Sequence, residues 1–171
     1  MKKSLKSIVV LVSICAVIAV LLAFTNEITA PIIEKNEKEA VTNALLKVMP
    51  NGEEFTPIDI SLHTLPSTVV EAYREKNGGY VFKLDTTGYA AGFVIMCGID
   101  PDGAVSGAIC LSSGETLGYE KSYGSWFVGK SASSIDVIDT VSGATKTTAA
   151  YKNAVKDAIS AAAILKADAA E

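Results

Sequence analysis

The sequence predicts an α+β domain that follows a single transmembrane helix. Three observations predict it: an uncharged apolar run near the N-terminus, four β-rich segments separated by turn sequences, and a long helical pattern at the C-terminus. A chain of 171 residues is long enough for one domain beside the apolar run. We expect a cytoplasmic N-terminus and anchor at 1–26, a membrane-proximal helix at 27–52, and an exported domain at 53–171.

The anchor is predicted from residues 8–24, which contain no charged side chain. A helix of about 17 residues is about 25 Å long, close to the thickness of the hydrocarbon core. Three lysines precede the run and no acidic residue precedes Glu27, so the positive-inside rule predicts a single-pass protein with its N-terminus in the cytoplasm. A cleaved signal peptide is the alternative, but the run is long for one and no Ala-x-Ala site follows it.

Charge and residue usage exclude several classes of function. The formal net charge is −4, and without the three N-terminal lysines it is −7, which does not suit nucleic acid as a partner. The only histidine, His63, falls in a predicted loop with a short extended piece at 53–66. A lone loop histidine argues against a catalytic triad and, without a cysteine cluster, against a zinc hydrolase.

The three cysteines are expected to be free. Cys15 falls in the apolar run, and Cys97 and Cys110 fall in the two strands of one predicted hairpin. A turn centred at 101–102 places Cys97 opposite Ser106, with Cys110 about 13 Å further along its strand. A disulfide requires Cα atoms within about 7 Å, so we expect two free and mostly buried thiols.

Four β-rich segments predict an antiparallel sheet. An Asn-Gly-Gly turn separates the first two segments and Asp-Pro-Asp-Gly separates the last two, and both are strong hairpin or turn signals. The predicted strands are 68–74, 80–86, 92–99 and 104–111.

Helical spacing of apolar residues predicts two helices that cover this sheet. Residues 36–48 have one apolar stripe, which favours packing on the domain over a solvated stalk. Residues 146–166 have an alanine-rich stripe, which allows close approach to a sheet.

A short motif, Ser142-Gly143-Ala144-Thr145, joins the β-branched run at 135–138 to the C-terminal helix. Glycine permits a sharp turn there, and the free N–H groups of a helix start bind phosphate. Thr145, Thr147 and Thr148 are candidates for the N-cap or the first turn. On these residues alone, a plain turn and cap is the simpler interpretation.

Residues 139–145 resemble the flavinylation motif of the RnfG/NqrC family of membrane-anchored flavoproteins. The resemblance implies that Thr145 carries FMN through a phosphoester bond, made by a separate flavin transferase, with Ser142, Gly143, Ala144 and Thr148 around it. Segments 79–82, 88–89 and 98–103 are similar to the sheet of that family in order and spacing, so the resemblance extends over almost the whole chain.

A second segment, 115–120, resembles the Glu-Thr-Pro-Gly-Leu-Gly sequence that lines the flavin in that family. It departs from the pattern, because Leu117 replaces proline, Tyr119 replaces leucine and Glu120 replaces the last glycine. Lys130 matches a lysine of the family, and a cation near flavin N1 stabilises reduced flavin. The ring contacts implied by the resemblance are Glu115, Thr116, Leu117, Gly118 and Lys130.

The resemblance implies an electron-transfer subunit of an Rnf-type ferredoxin:NAD⁺ oxidoreductase coupled to Na⁺ or H⁺ transport. Its partners are then the other membrane subunits, the flavin transferase and the bacterial cell membrane. One alternative is the homologous subunit of a Na⁺-pumping quinone reductase, or a stand-alone exported flavoprotein. Another, of a different class, is a cofactor-free anchored binding or scaffold domain.

Overall fold

The computed structural model describes the backbone of residues 2–169, and the side chains at 8, 10–27, 29 and 39–169. By its internal contacts the chain divides into two units, Met1–Val41 and Thr42–Glu171. The units are described separately below, and the first helix, α1 (Lys2–Val48), contributes to both.

The described residues of the first unit all belong to α1, from Lys2 to Val41. Within it, the 18 residues Val10–Glu27 have a mean hydropathy of 2.2, so this stretch is long and apolar enough to cross a membrane. None of these residues is buried. The expected anchor at 8–24 coincides with most of it. The helix continues through Pro31 without a break, so the segments expected at 1–26 and 27–52 belong to one continuous element that ends at Val48.

The second unit is built on a five-stranded antiparallel sheet in which each strand pairs with the next along the chain. The four predicted strands are confirmed. The short extended piece expected in the loop at 53–66 is a fifth strand at the edge, where its proline is tolerated. The strands are β1 (Phe55–Ile58), β2 (Val69–Glu75), β3 (Tyr80–Thr86), β4 (Phe93–Ile99) and β5 (Val105–Ser112).

One face of the sheet is covered by the long C-terminal helix, Thr145–Asp168, which is α3. Phe82, Leu84 and Ile95 point towards it, because alternate residues of a strand share a face. Alanines such as Ala158 on the buried side of α3 let the helix lie close to the strands. The expected helix at 146–166 is therefore correct to within two residues at each end.

The last turns of α1 cover the opposite face. Leu45 and Val48 are buried there, and the Ser106 hydroxyl donates a hydrogen bond of 2.7 Å to the carbonyl oxygen of Val48. Gly98 and Gly107 face each other across β4 and β5, and a Cβ on Gly107 would lie 2.6 Å from that same oxygen. The apolar stripe at the end of α1 therefore packs on the sheet.

Replacing Gly107 with valine should detach the end of α1 from the sheet. A β-branched side chain has no room against the Val48 backbone, and overpacking of this kind costs about 1–3 kcal/mol. Tryptic cleavage after Lys47, which is exposed but helical, should become several-fold faster. Ser106→Ala removes only one hydrogen bond and should have a smaller effect. Unchanged cleavage in Gly107→Val would contradict this packing.

The register of the β4–β5 hairpin differs from the one expected. An irregularity between Gly98 and Ile99 shifts the pairing, so Cys97 lies opposite Ala108 rather than Ser106, and Cys110 lies opposite Ile95. Both thiols are nevertheless free, as predicted. Cys97 is fully buried, and burial raises the pKa of its thiol to about 12.

Short elements connect β5 to α3. The helix α2 (Glu120–Tyr123) leads into a 3₁₀ turn, Gly124–Phe127, which packs on β5. The β-branched run at 135–138 forms a second 3₁₀ turn, Ile135–Val137. His63 is half-buried and pairs with Asp168 at 2.5 Å.

Candidate functional site

A cavity of about 370 Å³ opens at the end of the sheet where β3 turns into β4. Three segments meet there: the β3–β4 loop, the residues that follow β5, and the start of α3. The cavity falls in the usual size range of small-molecule sites. It is lined by Tyr89, by residues 115–117 and 119–120, and by residues 143–147.

The start of α3 forms one wall. Gly143 adopts a φ of +84°, a backbone conformation that favours glycine, and Ala144 occupies the N-cap position without a capping hydrogen bond from its side chain. The threonines considered as N-cap candidates therefore lie within the helix, and Thr145 is its first residue. The first backbone N–H groups of α3 have no side-chain cap, so this helix end is suited to bind an anion.

The Thr145 side chain is exposed beside the cavity. Its hydroxyl donates one long hydrogen bond, 3.5 Å, to the carbonyl oxygen of Val141. A bond of that length is weak, so the hydroxyl is available for reaction. Thr145 thus combines an accessible oxygen with the uncapped end of a helix.

The turn that carries Thr145 is held to the helix behind it. The buried Thr148 hydroxyl accepts a hydrogen bond from Val141 N at 3.1 Å and donates one to the Ala144 carbonyl oxygen at 3.0 Å. The Tyr123 hydroxyl donates a hydrogen bond of 2.9 Å to the carbonyl oxygen of Asp139, at the beginning of the motif. Thr148 is therefore a residue that positions the turn and does not line the cavity.

Glu115 connects the three segments that form the cavity through hydrogen bonds. One of its carboxylate oxygens accepts hydrogen bonds from Tyr89 N at 2.8 Å and Ala90 N at 3.0 Å, and the other accepts one from the Thr147 hydroxyl. Desolvation opposes ionisation of this carboxyl, but the hydrogen bonds from Thr147, Ala90 and Tyr89 outweigh it and lower the pKa of Glu115. Gly88 leaves room for this contact, because a Cβ there would lie 2.5 Å from the same oxygen that Tyr89 N contacts.

Removing this carboxylate should loosen the cavity. Glu115→Ala loses three hydrogen bonds to a charged acceptor, and we expect the free energy of unfolding to fall by about 2 kcal/mol in chemical denaturation. Glu115→Gln should retain much more of it, because the amide oxygen still accepts from both backbone N–H groups. Glu53→Ala, which removes an exposed carboxylate, is the control and should change stability little.

The same contact has a pH dependence of known sign. Because the folded-state pKa of Glu115 is lowered, its contribution to stability is present above the ordinary value of 4.5 and is lost as the pH falls through the folded-state pKa. Glu115→Gln should lack this component of acid destabilisation. An identical loss of stability with acid in the wild type and in Glu115→Gln would contradict the assignment.

Glu120 lines the cavity and is only 3% exposed. The Ser113 hydroxyl donates a hydrogen bond of 3.1 Å to one of its carboxylate oxygens. The other oxygen is buried and has no hydrogen-bond partner in the described part of the chain. In the sequence, Glu120 stands out only as an added charge, and it is not one of the predicted site residues.

The structure brings together most of the sequence-predicted site residues. Glu115, Thr116, Leu117, Gly143, Ala144 and Thr145 all line the cavity. Ser142 and Gly118 lie next to it in the chain without lining it. Tyr89, Tyr119, Lys146 and Thr147 line it but were not predicted, although the last two directly follow Thr145.

Lys130 is the exception. Its backbone N–H donates to the Phe127 carbonyl oxygen, and its own carbonyl accepts from Val105 N, at the beginning of β5. The cavity adjoins the other end of that strand, so the structure does not bring Lys130 into it. Across the described residues, no group of three or more His, Cys, Asp or Glu side chains is arranged to hold a metal ion.

Comparison with known proteins identifies the class and then the family. Residues 88–160, which include all the cavity segments, match the FMN-binding domain family. The fold and the cavity thus belong to an FMN-binding protein. The chain is also 33% identical over 156 residues to the G subunit of the Na⁺-translocating ferredoxin:NAD⁺ oxidoreductase complex of Acetobacterium woodii, a match that covers 80% of this chain and 74% of that relative. The chain belongs to the family of Rnf-complex G subunits.

Proposed function

We propose that this chain is the electron-carrying G subunit of a membrane-bound Rnf-type ferredoxin:NAD⁺ oxidoreductase, with FMN attached to Thr145 through a phosphoester bond. The observation that carries the proposal is the placement of Thr145. Its hydroxyl is exposed, weakly bonded, next to uncapped N–H groups of α3, and beside the cavity of an FMN-binding domain. This assembly is favoured over the NqrC-like one, because the G subunit of Acetobacterium woodii to which the chain is similar belongs to a ferredoxin:NAD⁺ oxidoreductase complex.

The residues around the cavity suit FMN. The phosphate requires N–H donors and a cation, which the first turn of α3 and Lys146 provide. The flavin ring requires apolar walls, which Tyr89, Leu117 and Tyr119 provide in part. When bound, FMN supplies one- and two-electron redox chemistry.

Attachment uses only the Thr145 hydroxyl from this chain. In the proposed step, the Thr145 oxygen forms a bond to the phosphorus of a flavin nucleotide donor, the bond from that phosphorus to the donor's leaving group breaks, and the hydroxyl proton is released. A flavin transferase supplies the donor and the catalysis. The added mass is therefore that of FMN less one water.

The chain's own residues then hold the carrier in place. Thr148 and Tyr123 fix the turn that carries Thr145, and Glu115 fixes the loops that surround the cavity. A fixed turn sets the distance over which electrons pass between partner subunits. We assign ion translocation to the assembly, coupled to Na⁺ or H⁺, and not to this domain.

The proposal places α1 across the cell membrane, with the N-terminal lysines in the cytoplasm and the second unit outside it. The apolar stretch Val10–Glu27 and the charge distribution of the sequence support this orientation. The flavin transferase must then act on the exported side.

The experiment tests attachment and orientation together. The full-length chain is co-expressed with an exported flavin transferase or with the same transferase retained in the cytoplasm, then analysed by in-gel fluorescence and intact mass. We expect a fluorescent band and the FMN mass increment only with the exported transferase. Modification only by the cytoplasmic transferase would reverse the proposed orientation. A colourless chain that neither active transferase modifies would leave the cofactor-free anchored scaffold as the function.

A further inference from the structure

The buried carboxylate of Glu120 is the feature that the proposed function leaves unexplained. One of its oxygens accepts a hydrogen bond from Ser113, and the other is buried with no partner among the described residues. An unpaired buried carboxylate oxygen normally costs stability. Such an oxygen in the wall of a ligand cavity therefore indicates a partner that the chain does not itself contain.

No cationic side chain in the described part of the protein pairs with the Glu120 carboxylate. No lysine, arginine or histidine there lies within 4.0 Å of the Glu120 carboxylate. Lys146 lines the same cavity but makes no ion pair with it. Glu120 lines the cavity, and its second oxygen has no donor among the described residues, so we attribute the missing donor to the ligand.

FMN has such donors, namely the ring N3–H and the ribityl hydroxyl groups. We propose that Glu120 is a flavin-contacting residue, whose free oxygen accepts a hydrogen bond from FMN and whose negative charge makes the bound flavin harder to reduce. The inference rests on the proposed function and deepens it. Reduction adds electron density to the ring, and a carboxylate at short range in a low-dielectric cavity opposes that addition.

Glu120 also distinguishes this chain from the motif that it resembles. The related Glu-Thr-Pro-Gly-Leu-Gly segment ends in glycine, which offers no side chain at this position. A carboxylate there gives this chain a residue that sets the flavin potential, and the glycine pattern has no counterpart to it.

The test compares Glu120→Gln with the wild type in the full-length chain, purified in detergent after flavinylation by the transferase. Glutamine keeps the shape and one acceptor oxygen but removes the charge. We expect the midpoint potential of the flavin, measured by spectroelectrochemical titration, to shift to a more positive value. Glu53→Gln is the matched control, because Glu53 is exposed and lies beside the β2–β3 turn, at the opposite end of the sheet. Its potential should equal that of the wild type.

Thermal unfolding provides a readout that is independent of redox chemistry. Without flavin, Glu120→Gln should unfold at the same or a higher temperature than the wild type, because no protein hydrogen bond to the free oxygen is lost. Flavinylation should raise the unfolding temperature of the wild type more than that of Glu120→Gln. A purely structural role for Glu120 would instead lower the stability of the flavin-free variant.

Equal potentials and equal thermal gains in the two proteins would overturn the contact. If Glu120→Gln folds but takes up no flavin while Glu120→Asp does, the carboxylate is required to seat the flavin and the contact stands. Failure of the wild type to acquire flavin is a distinct result, visible as a colourless protein, and it would overturn both this inference and the proposed function.

Discussion

If FMN is attached to Thr145 as proposed, we expect Thr145→Val to lose covalent flavin while the chain stays folded. Valine has nearly the same shape as threonine but has no hydroxyl, so no phosphoester can form. The Thr145 side chain is exposed and loses only a hydrogen bond of 3.5 Å, so the free energy of unfolding should change by less than about 0.5 kcal/mol. Intact mass and in-gel fluorescence, after co-expression with an exported transferase, should show complete loss of the FMN increment.

Two further variants make the test specific to the hydroxyl. Thr145→Ser retains an oxygen at the same helix position and should keep a measurable fraction of the flavin. Thr140→Val removes an exposed hydroxyl earlier in the motif and should be flavinylated like the wild type. A Thr145→Val protein that still carries the full increment would show that another residue is the attachment site.

Gly124→Ala should destabilise the domain by about 3 kcal/mol, the upper part of the range for overpacked cores. A Cβ at this position would lie 2.1 Å from the carbonyl oxygen of Ala108 and 2.4 Å from the hydroxyl oxygen of Tyr151. Tyr151 is fully buried and stacks with Phe127 at 5.6 Å between ring centroids. Because Tyr151 packs α3 against the domain, the clash should also displace the start of α3 and reduce flavinylation. Chemical denaturation gives the free energy of unfolding.

A double-mutant cycle with Tyr151→Phe separates the two clashes. The Tyr151 hydroxyl is buried without a partner in the described part of the chain, and burial raises its pKa, so its removal alone should be neutral or stabilising. Combined with Gly124→Ala it should restore part of the stability, because the contact with Ala108 remains. Full additivity of the two changes would contradict this packing. Gly78→Ala, at a turn glycine with open space around it, should cost only about 1 kcal/mol.

Local sequence patterns were sufficient to predict most of the secondary structure. Turn chemistry at Gly78 and at 100–103 defined two hairpins, and the alanine-rich stripe defined α3. The register predicted for the second hairpin, β4–β5, was wrong, because no local sequence pattern marks the irregularity beside Gly98. Gly98 and Gly107 make room for the end of α1, which is distant in sequence.

For the candidate site, too, some features could be predicted from the sequence and others depended on the tertiary structure. The sequence by itself determined the apolar span, the sheet with its covering helices, and the motif that marks Thr145, since each depends on residues that are close together in the chain. Only the tertiary structure decided that Glu115 joins three segments, that Lys130 lies away from the cavity, and that Glu120 is buried with one oxygen unpaired among the described residues. Burial and hydrogen-bond satisfaction are properties of neighbours brought together by folding, and no spacing along the chain encodes them.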